Sequence, residues 1–554
     1  MGSETLVNGH DAGNGVSGVV PAQQDSEHEQ QQRQQQRQRQ QVNGESSRGS
    51  WIVQKFGGTS LGKFAVNVAE DIVKPGLTEN RIAVVCSARS SHSKTEGTTN
   101  RLLRAAREAE KSGPSNYQPI VDAICADHIA AAKSYIQSID ILEGATADIQ
   151  AECDDLSAFL EATHRVGEIS ARSEDKIISK GEKLSCLLVA ALLQDRGVNT
   201  HAVDLSDIIT FEVQHGLDLE FYHNLATALG REVRACGQRV PIISGYFGNV
   251  PGGLLEKVGR GYTDLCAALV AVGIGADELQ VWKEVDGIFT ADPRKVPTAR
   301  LLSTITPAEA AELTFYGSEV IHPFTMEQVI RARIPIRIKN VMNPRGDGTV
   351  ILPEKRSETP LTPSEQGLVE SKMAHRGRSA STLSALRPKR PTAVTIKRHI
   401  LVLNVHSNKR SLSHGFFAKI FSTLDKWRLS VDLISTSEVH VSMALHSESA
   451  LLSGGGDDEL QVLDEDLGGA IAELREYGSV DIMPNMAILS LVGRQMKNMI
   501  GIAGRMFSTL GENNVNIEMI SQGASEINIS CVIEERDADR ALNILHTNLF
   551  TFLD

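Results

Sequence analysis

The stretch IVQKFGGTSLGKF combines a lysine, paired glycines and small hydroxyl residues after an apolar run, and these residue types bind phosphate groups. From Gly57 it nearly matches the P-loop pattern G-x-x-x-x-G-K-[ST], in which the last hydroxyl contacts magnesium, but Phe64 occupies that position. It is either a damaged P-loop or a different phosphate loop in which Lys55, before the glycines, supplies the charge. A purely structural alternative is a tight strand-to-helix turn with a solvated lysine.

Two further polar stretches follow apolar runs in the same manner. VVCSARSSHSKTEGTTN ends in a hydroxyl pair that contains Thr99, and VWKEVDGIFTADPRK carries Lys283 and Arg294. In parallel sheets, ligands bind beyond the carboxyl ends of the strands. We therefore expect these residues to lie with Lys55 at one edge of a sheet.

Two more stretches supply a cation and carboxylates. Arg260, in GRGYTD, has the geometry for a bidentate pair with a substrate carboxylate. Asp264 has two interpretations, a catalytic carboxylate or the N-cap of the helix that follows. Ser179 and Glu182 in ISKGEKLS present a similar choice. S-x-x-E is the form of a helix capping box, whereas a functional Glu182 would bind a substrate ammonium group.

The elements around these stretches alternate between β-branched strands and helical patterns from Trp51 to about residue 350. This alternation predicts an α/β fold with a mostly parallel sheet between layers of helices. The predicted strands are WIVQKF, RIAVVCSA, RVPIISGYFG, LQVWKEV and IPIRIKNV, and the predicted helices are SEDKIISKGEKLSCLLVAALLQDRG, YTDLCAALVAVGIG and TPAEAAELTFYG. A helical pattern also begins at about Phe64.

Two segments lack such periodicity. Residues 1–48 contain the run EQQQRQQQRQRQQ, with nothing apolar to bury, which predicts a disordered tail. Residues 354–393 are rich in Ser, Pro, Lys and Arg, which predicts a disordered linker that is open to phosphorylation. The intervening residues 49–353 form the first folded part.

Beyond the linker the chain repeats itself. RHILVLNV…FSTLDKWRLSVDLIS and MAILSLVG…FSTLGENNVNIEMIS share a strand, a helix with F-S-T-L and a second strand that ends in Ile-Ser. Each copy predicts a β-α-β-β unit followed by a further helix, near residues 457–476 and 537–549. The C-terminal part therefore consists of two small α+β modules, at 394–480 and 481–554.

Composition excludes several classes of function. The 554 residues carry a net charge of -13, so the chain lacks the positive footprint of a nucleic-acid or anionic-membrane binder. Its longest apolar run, 186–193, is too short to cross a bilayer, and no secretory signal is visible at the N-terminus. The seven cysteines show neither C-x-x-C nor zinc spacing, so we expect them to be buried and reduced, as in a cytoplasmic protein.

Four motifs occur in one order: K-F-G-G-T-S, S-x-G-E, G-R-G-x-[ST]-D and V-W-x-x-V-x-G-[IVL]-[FY]-T-x-D-P-R. Together they resemble the aspartate kinases of the amino-acid kinase superfamily. The two C-terminal modules resemble the paired ACT domains of that family, and YGSEVIHPFTMEQ and the long linker are most similar to its fungal form. Over residues 51–554, the linker apart, the resemblance implies an amino-acid-kinase αβα sandwich followed by two ferredoxin-like ACT domains.

The resemblance also implies roles for single residues. Lys55 and Asp264 match the catalytic pair, with ATP and Mg²⁺ as the implied donor and L-aspartate as the acceptor. The positions that match the aspartate site are Thr99, Glu182 and Arg260, and those that match the nucleotide site are Lys55, Gly57, Gly58, Ser60, Lys283, Glu284, Phe289 and Arg294. Glu319 stands where many bacterial and plant members have a lysine that contacts nucleotide, so His322 and nearby backbone become candidates for that contact.

For the ACT domains the resemblance implies an effector site, with L-threonine as the end-product inhibitor of a pathway to threonine and methionine. The candidate effector residues are Ser413, Gly415, Phe416, Asp432, Glu438 and Asn516. A structural role in capping or pairing strands remains open for Asp432 and Asn516. ACT domains commonly pair across subunits, so we expect a cytoplasmic homo-oligomer without nucleic-acid or membrane partners, and no metal site made by protein side chains.

Three alternatives compete with this interpretation. Another carboxylate kinase, such as acetylglutamate or glutamate 5-kinase, would share the fold, but the GRGYTD and Glu182 segments and the ACT pair favour aspartate. A non-catalytic sensor with an inactive kinase domain is disfavoured because Lys55, Arg260 and Asp264 are all present. A fused homoserine dehydrogenase is not expected, because the sequence ends just after the second module.

Overall fold

The computed structural model divides the chain at Ser50, and the architecture below is that of the unit Trp51–Asp554. The described residues are 49–90, 97–111, 113, 116–211, 213, 217–248, 250, 252–316, 321, 323–353, 390–407, 415–437, 439–446, 452–453, 461–462, 464–494, 496–523 and 527–551. The predicted tail 1–48 and residues 354–389 of the predicted linker lie outside them.

An eight-stranded sheet forms the centre of the first part. Its order is β3-β4-β2-β1-β5-β7-β8-β6, and every pair is parallel except β7 with β8. The strands are β1 (Trp51–Phe56), β2 (Arg81–Cys86), β3 (Thr200–Val203), β4 (Val240–Ser244), β5 (Glu278–Lys283), β6 (Thr304–Ile305), β7 (Ile336–Asn340) and β8 (Thr349–Ile351). The five predicted strands are confirmed, and so is the mostly parallel sheet.

Helices cover both faces of this sheet, because buried residues alternate between its two sides. Val85 lies in one apolar core and its neighbour Val84 in the other. The helices are α1 (Gly58–Lys63), α2 (Ala65–Asn67), α3 (Lys74–Gly76), α4 (Thr98–Glu110), α5 (Tyr117–Tyr135), α6 (Ile139–Val166), α7 (Ala171–Asp195), α8 (Leu219–Ala235), α9 (Leu254–Val258), α10 (Tyr262–Ile274), α11 (Pro307–Phe315) and α12 (Pro323–Arg331). The helix expected from about Phe64 begins at Ala65, with Phe64 as its N-cap, and the short helix α1 precedes it.

The second part is one six-stranded antiparallel sheet in the order β10-β11-β9-β14-β16-β15, with helices packed on it. Its elements are β9 (Ala393–Ser407), α13 (Phe416–Lys426), β10 (Val431–Ser437), β11 (His440–His446), β12 (Leu452–Ser453), β13 (Gln461–Val462), α14 (Glu465–Leu474), β14 (Gly478–Val492), α15 (Ile502–Glu512), β15 (Met519–Ser521), β16 (Asn528–Glu534) and α16 (Ala538–His546). Strands β12 and β13 form a separate pair.

The two repeats share the two long strands of this sheet. Residues 393–397 of β9 pair with the end of β14, and the later half of β9 lies between β11 and the beginning of β14. Strand β14 spans residue 480, where the boundary between the two modules was expected. The position of that boundary stays a prediction. The repeat extends to the backbone: Gly415 and Gly501, the N-caps of α13 and α15, both adopt positive φ, at 85° and 82°. Glycine reaches that conformation without strain.

The structure also bears on the cysteines and on helix length. All seven cysteines are free and buried, as expected. Among the described residues, no helix is long and apolar enough to cross a membrane.

Helices α8 and α10 cross in close contact at Gly273. A Cβ atom there would lie 2.0 Å from the carbonyl oxygen of Ala226. We predict that Gly273→Ala lowers the thermal midpoint of unfolding, because overpacking costs about 1–3 kcal/mol. Gly144, inside α6 with nothing within 4 Å of the added Cβ, is the matched control. Gly144→Ala should hold or raise the midpoint, and an equal fall in both variants would contradict the packing argument.

Candidate active site

Lys55 and Asp264 form an ion pair at the carboxyl edge of the sheet. The Lys55 Nζ and Asp264 Oδ1 atoms are 2.7 Å apart, and the two side chains are 12% and 15% exposed. Lys55 is next to last in β1, and Asp264 lies in the first turn of α10, where a carboxylate is favoured by the helix dipole. The N-cap of α10 is Gly261, so the N-cap interpretation of Asp264 is wrong.

Glu182 lies in the middle of α7 and not at a helix start. Ser170 caps α7 by accepting from the Ser173 N–H, while the Ser179 hydroxyl donates to the Lys176 carbonyl at 2.8 Å. The capping-box interpretation of Ser179 and Glu182 is therefore wrong. A buried carboxyl group within a helix needs another explanation, and its contacts supply one.

Burial raises the pKa of Glu182 to about 7, against hydrogen bonds and a nearby charge that lower it. The carboxylate accepts from the Thr263 hydroxyl at 2.7 Å, from the Tyr262 hydroxyl and from the Tyr246 backbone N–H. The positive charge of Lys55 lowers the pKa of Glu182, as these hydrogen bonds do. The sequence did not single out Tyr246, Tyr262 or Thr263, although the last two lie within the GRGYTD motif.

Thr263 and Asp264 are adjacent on α10, so their contacts join two motifs into one network. Asp264 holds Lys55 and Thr263 holds Glu182. The network thus runs from the end of β1 across the first turn of α10 to α7. It places an ammonium group and a carboxyl group, held on rigid elements, at one edge of the sheet.

The phosphate-loop motif does not have P-loop geometry. Gly62 and Lys63 end the short helix α1 instead of beginning one, and Lys63 is exposed. Gly58 is required by packing, since a Cβ there would lie 2.2 Å from the Ala88 carbonyl oxygen. Gly57, the N-cap of α1, has open space around it.

Ser60 and Glu284 connect α1 to the end of β5. The Ser60 hydroxyl donates to Glu284 Oε1 at 2.7 Å, and Ser60 is 1% exposed. This bond brings the first and fourth motifs together, as expected. It also means that the Ser60 hydroxyl is engaged by a carboxylate.

Thr99 lies in the first turn of α4. The preceding residue, Thr98, is fully buried. Gly181 lets α7 approach this point, because a Cβ there would lie 3.1 Å from Thr98 Cγ2 and 3.0 Å from Ala88 Cβ. The backbone of Arg260 forms the turn before α10, but its side chain lies outside the described residues, as do Glu319 and His322.

A cavity of about 220 Å³ lies beyond β5 and β7, and Phe289 lines it. The other lining residues are Asp286, Leu301, Asn340, Asn343, Gly346 and Gly348. Asp286 accepts from the amides of Asn340 and Asn343 at 3.1 and 3.2 Å. Sequence reasoning missed these polar residues, although the turn NPRGDG directly after a predicted strand was a signal.

Lys283 and Arg294, which also match the nucleotide site, lie in different surroundings. Lys283 is half-exposed at the end of β5. The Arg294 side chain is 87% exposed and forms a surface ion pair with Asp292 at 2.9 Å. The structure therefore does not show Arg294 reaching the cavity. Within the described residues there is no cluster of three or more potential metal ligands.

The candidate effector residues are spread over the ACT sheet. Asp432 is buried and pairs with Lys397 of β9 at 2.8 Å, and the Lys397 ammonium lies 4.9 Å from the centre of the Phe315 ring at the end of α11. Phe416 is a core residue, and Gly415 is a helix N-cap. Asn516 is exposed and donates to Glu518, whereas Ser413 and Glu438 lie outside the described residues.

The sheet, its edge network and the appended antiparallel module define a kinase of the amino-acid kinase class with an ACT regulatory part. A sequence model described as the amino acid kinase family matches residues 50–340, and an ACT domain model matches 489–549. The aspartokinase of Candida albicans is 54% identical over 516 residues, which is 90% of each chain, and that of Saccharomyces cerevisiae is 52% identical over 91% of this chain and 94% of its own.

Solved structures give the same result. The structure of E. coli aspartokinase III with aspartate and ADP matches with a TM-score of 0.65 at 26% identity, and covers 90% of this chain and 99% of its own. The chain belongs to the aspartokinase family, as the four motifs implied, and its 52–54% identity to three fungal members confirms the resemblance to the fungal form. It is thus an ATP-dependent kinase of aspartate, and neither the acetylglutamate-kinase nor the inactive-sensor alternative is supported.

Lys55 and Lys63 provide a matched test of the phosphate loop, because they flank the same glycines. We predict that Lys55→Ala lowers kcat by about 100- to 1000-fold, the usual cost of one charge-stabilising donor in a phosphoryl or acyl transfer site. Lys63→Ala should leave kcat unchanged, because Lys63 is exposed at the end of α1. Near-normal turnover of Lys55→Ala, with an unchanged thermal midpoint, would contradict the assignment.

Proposed function

We propose that the enzyme transfers the γ-phosphoryl group of ATP to the side-chain carboxylate of L-aspartate and forms 4-phospho-L-aspartate and ADP. The observation that carries this proposal is the network in which Asp264 holds Lys55 and Thr263 holds Glu182. It offers one cation toward phosphate and one carboxyl group toward an ammonium. An amino acid and a nucleotide are the pair of ligands that these groups would bind together.

The acceptor needs no general base. A free β-carboxyl group has a pKa of about 4 and is ionised at pH 7, so its oxygen attacks the γ-phosphorus directly while the bond to the leaving ADP oxygen breaks. The main barrier is the approach of two anions. Lys55 would lower it by neutralising charge on the transferred group, and Asp264 would orient Lys55.

The proposed aspartate site is formed by Thr99, Glu182 and Arg260. Glu182 would bind the substrate ammonium, because it is buried on α7 and already aligned by three donors. Arg260 would pair with a substrate carboxylate, a role supported by the turn that its backbone forms before α10. Thr99 would complete the site from the first turn of α4, where its neighbour Thr98 packs against Gly181.

The proposed nucleotide site extends from α1 to the cavity. Lys55, Gly57 and Gly58 would contact the phosphates, Ser60 and Glu284 would fix α1 to β5, and Lys283 and Phe289 would lie nearer the base. Arg294 would have to exchange its surface partner Asp292 for nucleotide. Magnesium, when bound with ATP, would shield the charge of the phosphates.

A hydroxylamine trap tests the proposed reaction, because hydroxylamine converts an acyl phosphate to a stable hydroxamate. We expect hydroxamate with ATP, Mg²⁺ and L-aspartate. Glutamate, N-acetylglutamate and acetate should give none. Equal hydroxamate formation from glutamate would contradict the proposed acceptor.

The pKa of Glu182 predicts how aspartate binding depends on pH. Below about pH 7 the carboxyl group is neutral and attracts an ammonium weakly, so kcat/KM for aspartate should fall as the pH is lowered through about 7. The KM for ATP should change little. Glu182→Gln should have low kcat/KM at every pH and lose this step. A wild-type step that persists in Glu182→Gln would assign it to another group.

The regulatory part of the proposal concerns the ACT domains. We propose that L-threonine binds there and inhibits the enzyme, that the enzyme performs the first step toward threonine and methionine, and that it is a cytoplasmic homo-oligomer. The Asp432–Lys397 pair supports communication with the kinase domain, because Lys397 lies over Phe315 of α11. Inhibition requires that threonine bind one conformation better than the other. A solved E. coli relative is in complex with lysine and aspartate, so lysine is the rival effector.

Asp432 is the residue on which the effector proposal is best tested. We predict that Asp432→Ala raises the threonine concentration for half inhibition by about tenfold, within the usual range of allosteric coupling. Asp425→Ala, an exposed carboxylate on α13 of the same module, is the control and should not change it. Unchanged threonine inhibition in Asp432→Ala would leave the Lys397 pair as a purely structural contact.

A further inference from the structure

The segment of residues 284–303, between β5 and β6, packs against the C-terminal helix of the chain. Ala291 and Val296 of this segment are buried in the same apolar core as Leu542 and Leu545 of α16. The segment also carries Phe289, which lines the cavity. A regulatory-domain helix therefore supports the loop on which the proposed nucleotide site depends.

His546, the last residue of α16, makes the central polar contact of this interface. It is 1% exposed, its Nε2 atom is 2.8 Å from Thr290 Oγ1, and its Nδ1 atom is 3.2 Å from Thr298 Oγ1. Its ring stacks on Phe550 with a centroid separation of 5.0 Å and an interplanar angle of 9°. The imidazole thus connects Thr290 and Thr298, which lie eight residues apart in the segment.

The hydrogen bonds around this ring form a continuous network. The Arg300 backbone N–H donates to Thr290 Oγ1 at 2.9 Å, and each nitrogen of the imidazole has a threonine hydroxyl as its partner. A neutral ring that accepts the Thr290 hydroxyl proton at Nε2 and donates from Nδ1 to Thr298 would satisfy all these groups. Burial, with the nearby charge of Arg300, lowers the pKa of His546, and a neutral ring suits this arrangement. A buried imidazole whose two nitrogens are both engaged fixes the position of its partners.

Weaker contacts between the segment and the C-terminal helix surround His546. Lys295 Nζ lies 3.3 Å from Asp539 Oδ1, and the Asn543 amide donates to the Lys295 carbonyl at 3.1 Å. The Arg300 guanidinium donates to the Phe550 carbonyl at 3.1 Å. These contacts are partly exposed to solvent, so they hold the segment less firmly than the buried hydrogen bonds of His546 do.

We propose that His546 is a positioning residue for ATP: through Thr290 and Thr298 it holds the segment in the conformation in which Phe289 faces the cavity. The inference rests on the proposed nucleotide role of Phe289. Thr290 is the next residue in the chain, so movement of Thr290 moves Phe289. His546 touches no substrate, and its effect should appear in the KM for ATP.

Steady-state kinetics of the full-length enzyme test this inference. His546→Phe keeps the stacked ring but removes both hydrogen bonds, and we expect it to raise the KM for ATP by about tenfold, with kcat and the KM for aspartate within about twofold. Thr290→Val removes the bond to His546 together with the acceptor of the Arg300 backbone N–H, and it should also raise the KM for ATP. His546→Gln, with an amide near the Nε2 position, should recover part of the loss.

The double variant His546→Phe/Thr290→Val and a surface control complete the design. The double variant should raise the KM for ATP by less than the product of the two single effects, because both changes remove the shared contact between Thr290 and His546. Asn548→Ala alters an exposed hydrogen bond just beyond α16 and should behave as wild type. An unchanged KM for ATP in either His546→Phe or Thr290→Val, or a parallel rise in both KM values, would overturn the inference.

Phe289→Ala separates this inference from the proposed function. If Phe289→Ala leaves the KM for ATP unchanged, the nucleotide role of Phe289 is wrong, and the proposed path from His546 to ATP fails with it. If Phe289→Ala raises the KM for ATP but His546→Phe does not, the nucleotide role stands and only the positioning role of His546 fails.

Discussion

The ion pair between Lys55 and Asp264 is the interaction on which the rest of the catalytic domain depends. Two charges at 2.7 Å with little solvent exposure lose much of their hydration, and that loss offsets a large part of their attraction. The pair is therefore better explained by positioning than by stability. It fixes an ammonium group where β1 ends, close to the carboxyl group of Glu182 on α7.

Several tight contacts hold the elements that carry this pair. Helix α10 carries Asp264 and Thr263, and it crosses α8 at Gly273, where even one methyl group would clash. At its other end, Gly245 approaches Thr263, since a Cβ there would lie 2.4 Å from Thr263 Cγ2. Close packing at both ends leaves α10 little freedom to shift. Asp264 is therefore held in position to pair with Lys55.

The sequence predicted the parts of the site that depend on local pattern. The strand before Lys55, the helix after Arg260 and the parallel sheet follow from periodicity and glycine turns. The capping-box interpretation of Ser179 was wrong because S-x-x-E also occurs inside helices. The structure shows that Ser170 is the N-cap of α7. The role of Gly58 and the sharing of β9 and β14 between the ACT repeats depend on distant contacts, which no local pattern encodes.

We expect Lys55 and Asp264 to act as one unit, and a double-mutant cycle on kcat/KM for ATP measures this most directly. The variants are Lys55→Met, Asp264→Asn and the double variant, each checked for an unchanged thermal midpoint. If the two side chains act through their ion pair, the double variant should be about as slow as the slower single variant. If the two losses multiply instead, each residue acts independently, and the ion pair is not the basis of the site.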